Sequence, residues 1–260
     1  IMGRNEHLET RFFEHFGIAV VQQERDSKST AWETLETRLG AGPVLCFVDL
    51  YYLPYFGSDT HFGPHTVVVI DVTEDSVTIS DSEFPEPQTV SRTDFDDAWS
   101  SEHGFWPLER RWLAVEMPEQ TVATDTATRQ AIASGTETML DGGPAERGGV
   151  DAIRAFADDL PRWTGFDDVQ WTARFAYQNI ERRGTGGGAF RRLYGSCLET
   201  LGVNAGLDAQ CGERMHRIAD DWSELGADLK DVSETEDPTE QEHLLEDASD
   251  CGADIADREE

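Results

Sequence analysis

The apolar positions of the first 120 residues switch between two periods. Leu8, Phe12, Phe13 and Phe16 recur at helical spacing within residues 5–16, and Gly17 is a natural stop. IAVVQQ (18–23) reads as a short strand. Ser29 and Thr30 offer hydroxyl caps for a helix running to about Leu39, where Gly40 ends it. PVLCFVDLYYL (43–53) reads as a buried strand, and HTVVVIDV (65–72) with SVTISD (76–81) as a hairpin. Thr93 to Trp99 reads as a short helix and RRWLAVEM (110–117) as a closing strand. Helices interleaved with a hairpin predict an α+β fold.

Near Pro118 the pattern changes. From Thr124 onward the period is helical, with helices predicted at about 124–140, 149–160, 167–182, 188–202 and 205–226. Gly142-Gly143-Pro144 and Pro161-Arg162-Trp163 punctuate them. Beyond about Asp228 the chain is acidic and poor in aromatic residues, the signature of disorder. Three segments are therefore expected: an α+β unit over 1–118, an all-α unit over 119–227 and a disordered acidic tail over 228–260. No internal repeat is visible.

Composition sharpens this picture. The chain holds 52 acidic and 21 basic residues, a formal charge of −31, and only two of the bases are lysines (Lys28, Lys230). Residues 224–260 contribute 15 acids against two bases, so more than half of the excess lies in the rest of the chain. Such a field repels a polyanion and argues against a nucleic-acid partner. Self-repulsion of this size opposes compactness at low ionic strength and is screened by concentrated salt. A cytoplasmic protein of a high-salt organism fits that balance. No apolar run approaches the ~20 residues of a membrane helix. Four cysteines (46, 197, 211, 251) lack C-x-x-C or clustered spacing, which fits reduced thiols better than zinc or disulfides. Ile1 precedes Met2, so the chain is expected to be a fragment with coding sequence upstream.

The candidate chemistry is concentrated between residues 48 and 82. His61 and His65 stand four apart, but Gly63-Pro64 forbids the helix that would aim both at one metal. A metal held by these two with Asp49 or Asp59 lacks a further ligand at suitable spacing, so neither metal nor cofactor is expected. In the hairpin, alternation places His65, Val67, Val69 and Asp71 on one face and Val77, Ile79 and Asp81 on one face of the partner strand. A three-residue loop at Thr73–Asp75 pairs odd positions with odd, so Asp81 falls opposite Val67 and diagonal to His65. A carboxylate on one imidazole nitrogen fixes the tautomer and leaves the other as a base, two parts of a nucleophilic triad. The alternative is plainer: His65 begins a strand and Asp81 begins a turn.

Three words carry a resemblance: G-R-N-E-H-L-E (3–9), G-P-V-L-C-F-V-D-L-Y-Y-L-P-Y (42–55) and H-F-G-P-H-T-V-V-V (61–69). Together they resemble the N-terminal domain of BtrH-type acyltransferases of butirosin biosynthesis, over about residues 3–117. That family is similar in fold to papain-like cysteine peptidases. The resemblance implies a Cys-His-Asp constellation in which His65 is the histidine and Asp81 the carboxylate. It also implies a nucleophilic cysteine in a block upstream of the Gly3–Glu9 word. Cys46, mid-strand beside Val44 and Val48, reads instead as a small core residue. I-E-R-R-G-T-G-G-G-A-F-R-R-L-Y (180–194) resembles the helical domain of unknown function that accompanies BtrH-type domains, over about residues 125–225.

The resemblance implies acyl or aminoacyl transfer, or amide or thioester processing, with its nucleophile outside this chain. The partners implied are a small-molecule amine or a peptide, and an acyl-carrier protein. The other reading is an inactive module that holds such a partner. Asp49, Tyr52 and His61 are candidate substrate contacts beside His65. The Gly-rich word lacks the G-K-[ST] of a phosphate loop. Gly186, Gly187 and Arg191 are further candidates there, as free backbone N–H groups and a cation facing an anionic group, against the alternative of a tight turn between helices.

Overall fold

The computed structural model describes residues 7–23, 27–103, 107–142 and 148–260. Gly143, Pro144, Trp106 and residues 3–6 of the first resemblance word lie outside the described residues. The fold is α+β, in two compact units: residues 12–121, and residues 122–260 together with 1–11.

The first unit is a six-stranded antiparallel sheet, in the order β1-β6-β2-β3-β4-β5. Its strands are β1 (Ala19–Gln23), β2 (Val44–Val48), β3 (His65–Val72), β4 (Ser76–Ser80), β5 (Gln88–Ser91) and β6 (Trp112–Glu116). Alternation does what the pattern required. Val44, Cys46 and Val48 of β2, Val67 and Val69 of β3, and Val77 and Ile79 of β4 form one buried face. Helices α2 (Lys28–Leu39) and α3 (Arg92–Trp99) cover it with Trp32, Leu35, Phe95 and Trp99. A short helix, α1 (Leu8–His15), precedes β1. Trp99 and Trp112 are core residues.

Four local expectations are corrected. The cap of α2 is Ser27, whose hydroxyl accepts from the Thr30 amide at 3.3 Å, not Ser29 or Thr30. The strand expected over 43–53 stops at Val48, because the Asp49 carboxylate captures the Tyr51 amide and starts a 3-10 turn over Leu50–Tyr52. Strand β6 does not close the sheet at an edge: it pairs with β1 on one side and β2 on the other. Strand β5 was not foreseen, since only Val90 of its four residues is buried.

The second unit is helical: α4 (Thr124–Asp141), α5 (Gly149–Asp159), α6 (Val169–Glu181), α7 (Arg191–Cys197), α8 (Gln210–Glu234) and α9 (Pro238–Glu259). The helix expected from residue 188 begins only at Arg191, because residues 186–190 all have positive φ. The disordered acidic tail is overturned. Helix α8 runs on to Glu234, and α9 is capped by Asp237 with Pro238 at its first turn. Leu245, Ala248, Ile255 and Ala256 form a buried stripe on α9. At Gly252 an added Cβ would lie 2.9 Å from that of Ala157, so α9 lies very close to α5 there. Most acids of this segment occupy the other faces, and an average over composition conceals a narrow stripe of small apolar residues. Among the described residues, no helix is long and apolar enough to cross a membrane.

Candidate active site

His65 opens β3 and Asp81 follows the last residue of β4. The pairing Val68↔Ser80 and Val69↔Ile79 sets the sequence-derived register at this end of the hairpin. Nearer the turn the register shifts by one at a bulge between Val69 and Asp71, giving Asp71↔Thr78 and Val72↔Val77. The turn is therefore one residue longer than expected, and the bulge restores the frame that brings Asp81 to His65.

His65 Nε2 lies 2.9 Å from Asp81 Oδ2. The same oxygen accepts the Tyr55 hydroxyl at 2.9 Å, and Oδ1 accepts the Glu83 amide at 3.1 Å. The Asp81 side chain is wholly buried, whereas that of His65 keeps 14% of its surface. Burial, followed by the hydrogen bond to Asp81, pushes the Tyr55 phenol far above its ordinary range, so Tyr55 remains a donor. A carboxylate that already accepts two donors has only acceptor sites to offer. Nε2 therefore carries the proton, and Nδ1 is left able to accept one. Phe56 stands edge-on to the imidazole at 5.4 Å, and Phe84 packs edge-on against both Tyr55 and Phe56. These rings hold the base in a largely apolar frame.

A second histidine–carboxylate pair stands at the same end of the sheet, one residue beyond the pairing Val48↔His65. Asp49 is 1% exposed, and its Oδ2 receives His61 Nδ1 at 2.8 Å and the Ser101 hydroxyl at 2.7 Å. Its Oδ1 accepts the amides of Phe62 at 2.9 Å and Tyr51 at 3.1 Å. Burial works against the charge on Asp49, but these donors outweigh it and hold the carboxyl below its ordinary range. The His61 ring stacks on His103 at 3.9 Å and lies 4.1 Å from the Tyr51 ring. Two rings at those distances cannot share one face, so His61 lies between them. Tyr52 is half-buried and 5.5 Å from His61, its phenol pushed up by burial and then by Asp49.

Asp49, Tyr52, His61, His65 and Asp81 are thus brought to one end of one sheet. Each histidine binds its own carboxylate. Among the described residues, no group of three or more His, Cys, Asp or Glu side chains is arranged to hold a metal ion. Tyr55, Ser101 and His103 were not singled out for these roles. Tyr55 carries no sequence signal beyond lying in an aromatic run, and Ser101 and His103 approach Asp49 only through the fold. Cys46 is fully buried in the core, and burial pushes its thiol well above the ordinary value, the opposite of an activated nucleophile.

The Gly-rich word of the helical unit is differently engaged. The Gly187 amide donates to the Thr185 hydroxyl at 3.2 Å and the Gly188 amide to Glu181 Oε1 at 3.0 Å. At Gly188, with φ of +57°, an added Cβ would lie 2.6 Å from the Ala219 carbonyl oxygen. Glycine is needed there for close packing on α8. Arg191 donates to Glu259 Oε1 at 2.6 Å, an oxygen that also accepts from the Trp222 indole at 3.2 Å. The Gly187 amide and the Arg191 Nε, expected to face an anion, are thus spent on the fold.

Residues 1–82 match the family model described as butirosin biosynthesis protein H, N-terminal, and residues 93–260 match that of a domain of unknown function, DUF4872. The second match begins some thirty residues earlier than the helical resemblance at 125–225. A search of curated proteins returned no match. The chain belongs to the DUF4872 family, and its residues 1–82 match the model of the N-terminal region of butirosin biosynthesis protein H.

Proposed function

We propose that the sheet unit supplies the base and its orienter for acyl transfer by a Cys-His-Asp mechanism. The observation that carries this reading is the buried Asp81 carboxylate, held by Tyr55 and Glu83 and bound to His65 Nε2 at 2.9 Å. His65 Nδ1 takes the proton of a cysteine thiol, and the thiolate attacks the carbonyl of an acyl thioester or amide. The tetrahedral intermediate collapses, the donor's thiol or amine leaves, and His65 returns the proton to it. An amine of a small molecule then attacks the acyl-enzyme, loses its proton to His65 and displaces the cysteine. With water in place of the amine, the same steps are hydrolysis. Asp81 remains an acceptor throughout and stabilises the imidazolium as it forms. On this reading the thiol comes from a segment outside these residues, as the resemblance implies, and the donor is a carrier-protein thioester. The Asp49–His61 pair and Tyr52 are proposed to contact the acceptor.

Mass spectrometry of the native protein, incubated with an acyl-thioester donor, tests this. An acyl adduct on a cysteine is expected, along with an Nε2–H tautomer for His65 in long-range 1H–15N spectra. An Nδ1–H tautomer, or turnover with no adduct, would overturn the mechanism. One observation favours a second reading, a binding module without chemistry: the sheet unit's single cysteine, Cys46, is sealed in the core. On that reading, calorimetry finds donor binding with neither adduct nor turnover.

The charge balance supports work in concentrated salt inside a cell. Burial, and then repulsion from Asp247, Glu224 and Asp231, raises the Asp228 pKa to about 6. A carboxyl raised above its unfolded value of about 3.9 contributes most to stability in acid. That contribution is complete below about pH 4 and is lost as pH rises through about 6. Asp228→Asn is therefore expected to raise the melting temperature at pH 7.5 in 50 mM KCl. Allowing for solvent screening, the gain is about 2–4 °C. In 2 M KCl the parent protein melts higher and the gain shrinks, because the Debye length there is below ~3 Å. Melting that is independent of KCl would count against the high-salt reading.

A further inference from the structure

The helical unit contains a cavity of about 460 Å³ whose wall is cationic, against the sign of the chain as a whole. Arg182, Arg192 and Lys230 line it, together with the Tyr177 hydroxyl-bearing ring and the bare backbone of Gly187. Lys230 is one of only two lysines in 260 residues. The three cations come from three places in the fold: the end of α6, the first turn of α7 and the last part of α8.

The cavity also contains one carboxylate, Glu181, but its Oε1 is taken by the Gly188 amide at 3.0 Å and the Ser223 hydroxyl at 2.8 Å. It holds the Gly-rich loop in place. A Cβ at Gly187 would lie 3.3 Å from both Arg192 Nε and Glu181 Oε2, so any side chain there would press into the cavity wall. Arg182 donates its Nε to the neutral Tyr177 hydroxyl at 3.1 Å, and among the described residues it forms no ion pair within 4 Å, Glu181 attracting it only at longer range. Arg192 and Lys230 are paired outside the cavity, with Asp220 at 2.9 Å and Glu234 at 3.5 Å. Both pairs are solvent-exposed, and such pairs are weak and easily exchanged for a better anion.

One carboxylate ligand is satisfied by a single arginine fork. Three cations and a hydroxyl converging from separate elements suit an anion with donors on several sides and more than one charge. We infer that this cavity is a binding site for a phosphate group carried by a small molecule. The expectation that loop amides would hold an anion is thereby replaced by side-chain recognition in the same neighbourhood. The inference is independent of the acyl-transfer reading, since it uses neither His65 nor Asp81.

Calorimetric titration of inorganic phosphate, sulfate and acetate into the full chain, at one fixed KCl concentration, tests the site. Phosphate is expected to saturate one site and to bind at least tenfold more tightly than acetate. Arg182→Gln and Lys230→Gln should each weaken phosphate at least tenfold, whereas Arg217→Gln, an exposed control on α8, should leave it unchanged. Melting curves within two degrees of the parent confirm that the variants are folded. The assignment is overturned by a lack of saturation, by acetate binding as tightly as phosphate, or by an Arg217→Gln effect as large as the others.

Discussion

Replacement of His65 by glutamine is expected to lower acyl transfer by the native protein about 10³–10⁴-fold, with little change in melting temperature. The asymmetry follows from the site. Glutamine can still offer an N–H toward Asp81 Oδ2, which retains the Tyr55 hydroxyl at 2.9 Å, so the buried carboxylate is not abandoned. What disappears is Nδ1, the atom that must accept a proton. Asp81→Asn is expected to cost nearly as much turnover by a different route. An amide can present its N–H₂ to the imidazole, and His65 then adopts the tautomer whose proton sits on the wrong nitrogen. Tyr55→Phe removes only a second-rank support and should cost about tenfold or less. Its readout is the pH profile together with the His65 tautomer, since a merely structural tyrosine would move neither. If His65→Gln left turnover intact, the histidine would have no part in proton transfer.

How much of this site was legible beforehand depends on whether its contacts are local to an element or depend on the fold. The His65–Asp81 pair was legible because a hairpin converts sequence spacing into distance and a period of two sorts the faces. Even so, the correct register came through an error in the turn that the bulge at Val69/Asp71 compensates. The Asp49–His61 pair was only half legible. Asp49 and His61 were each singled out, but Asp49 was placed within a strand expected to continue to Leu53. A side chain that captures its own chain's amide at Tyr51 ends that strand, and propensity cannot foresee it. Ser101 and His103 carried no signal, because they reach Asp49 and His61 only after α3 packs on the sheet. Helix α9 was misjudged for a different reason: its buried stripe consists mostly of Leu, Ala, Gly and Ile at single positions among acids.

The family boundaries cross this architecture in an instructive place. The DUF4872 match begins at residue 93 and so includes most of α3, together with Ser101, His103 and β6. Strand β6 is interior to the sheet, between β1 and β2 of the preceding region. Two of the polar groups around Asp49 and His61 thus belong to one matched region and the pair itself to the other. A cut between residues 82 and 93 would leave β1 and β2 without their shared neighbour and the Asp49 carboxylate without Ser101. The two regions are a single folding problem as far as residue 121, which is where the compact units divide.

The largest stability loss is expected at Asp96. This residue of α3 is 5% exposed and gathers three side chains, two from α2 and one from the segment before β6, on one carboxylate. Arg110 forks onto it, with Nε on Oδ1 at 3.0 Å and Nη2 on Oδ2 at 3.1 Å. Lys28 reaches Oδ2 from the start of α2 at 2.8 Å, and the Trp32 indole donates to Oδ1 at 2.9 Å. Burial alone would raise the Asp96 pKa, but the hydrogen bonds from Arg110, Lys28 and Trp32 outweigh it and hold the carboxyl below its ordinary range. Asp96→Ala leaves a largely buried guanidinium without its anion and an indole without its acceptor. Breaking one side of such a pair costs about 3–5 kcal/mol. For a unit of this size that is a fall of roughly 10–20 °C in melting temperature. The pH dependence has a definite sign. A depressed folded pKa contributes stability above the unfolded value of about 3.9 and loses it as pH falls through the folded one. The parent's sheet unit should therefore lose stability below about pH 4 more steeply than Asp96→Asn, which keeps the shape but not the charge. Thermal melts of the three proteins between pH 3 and pH 7 decide it: parallel curves for the parent and Asp96→Asn would mean that the carboxylate is held by packing and not by its charge.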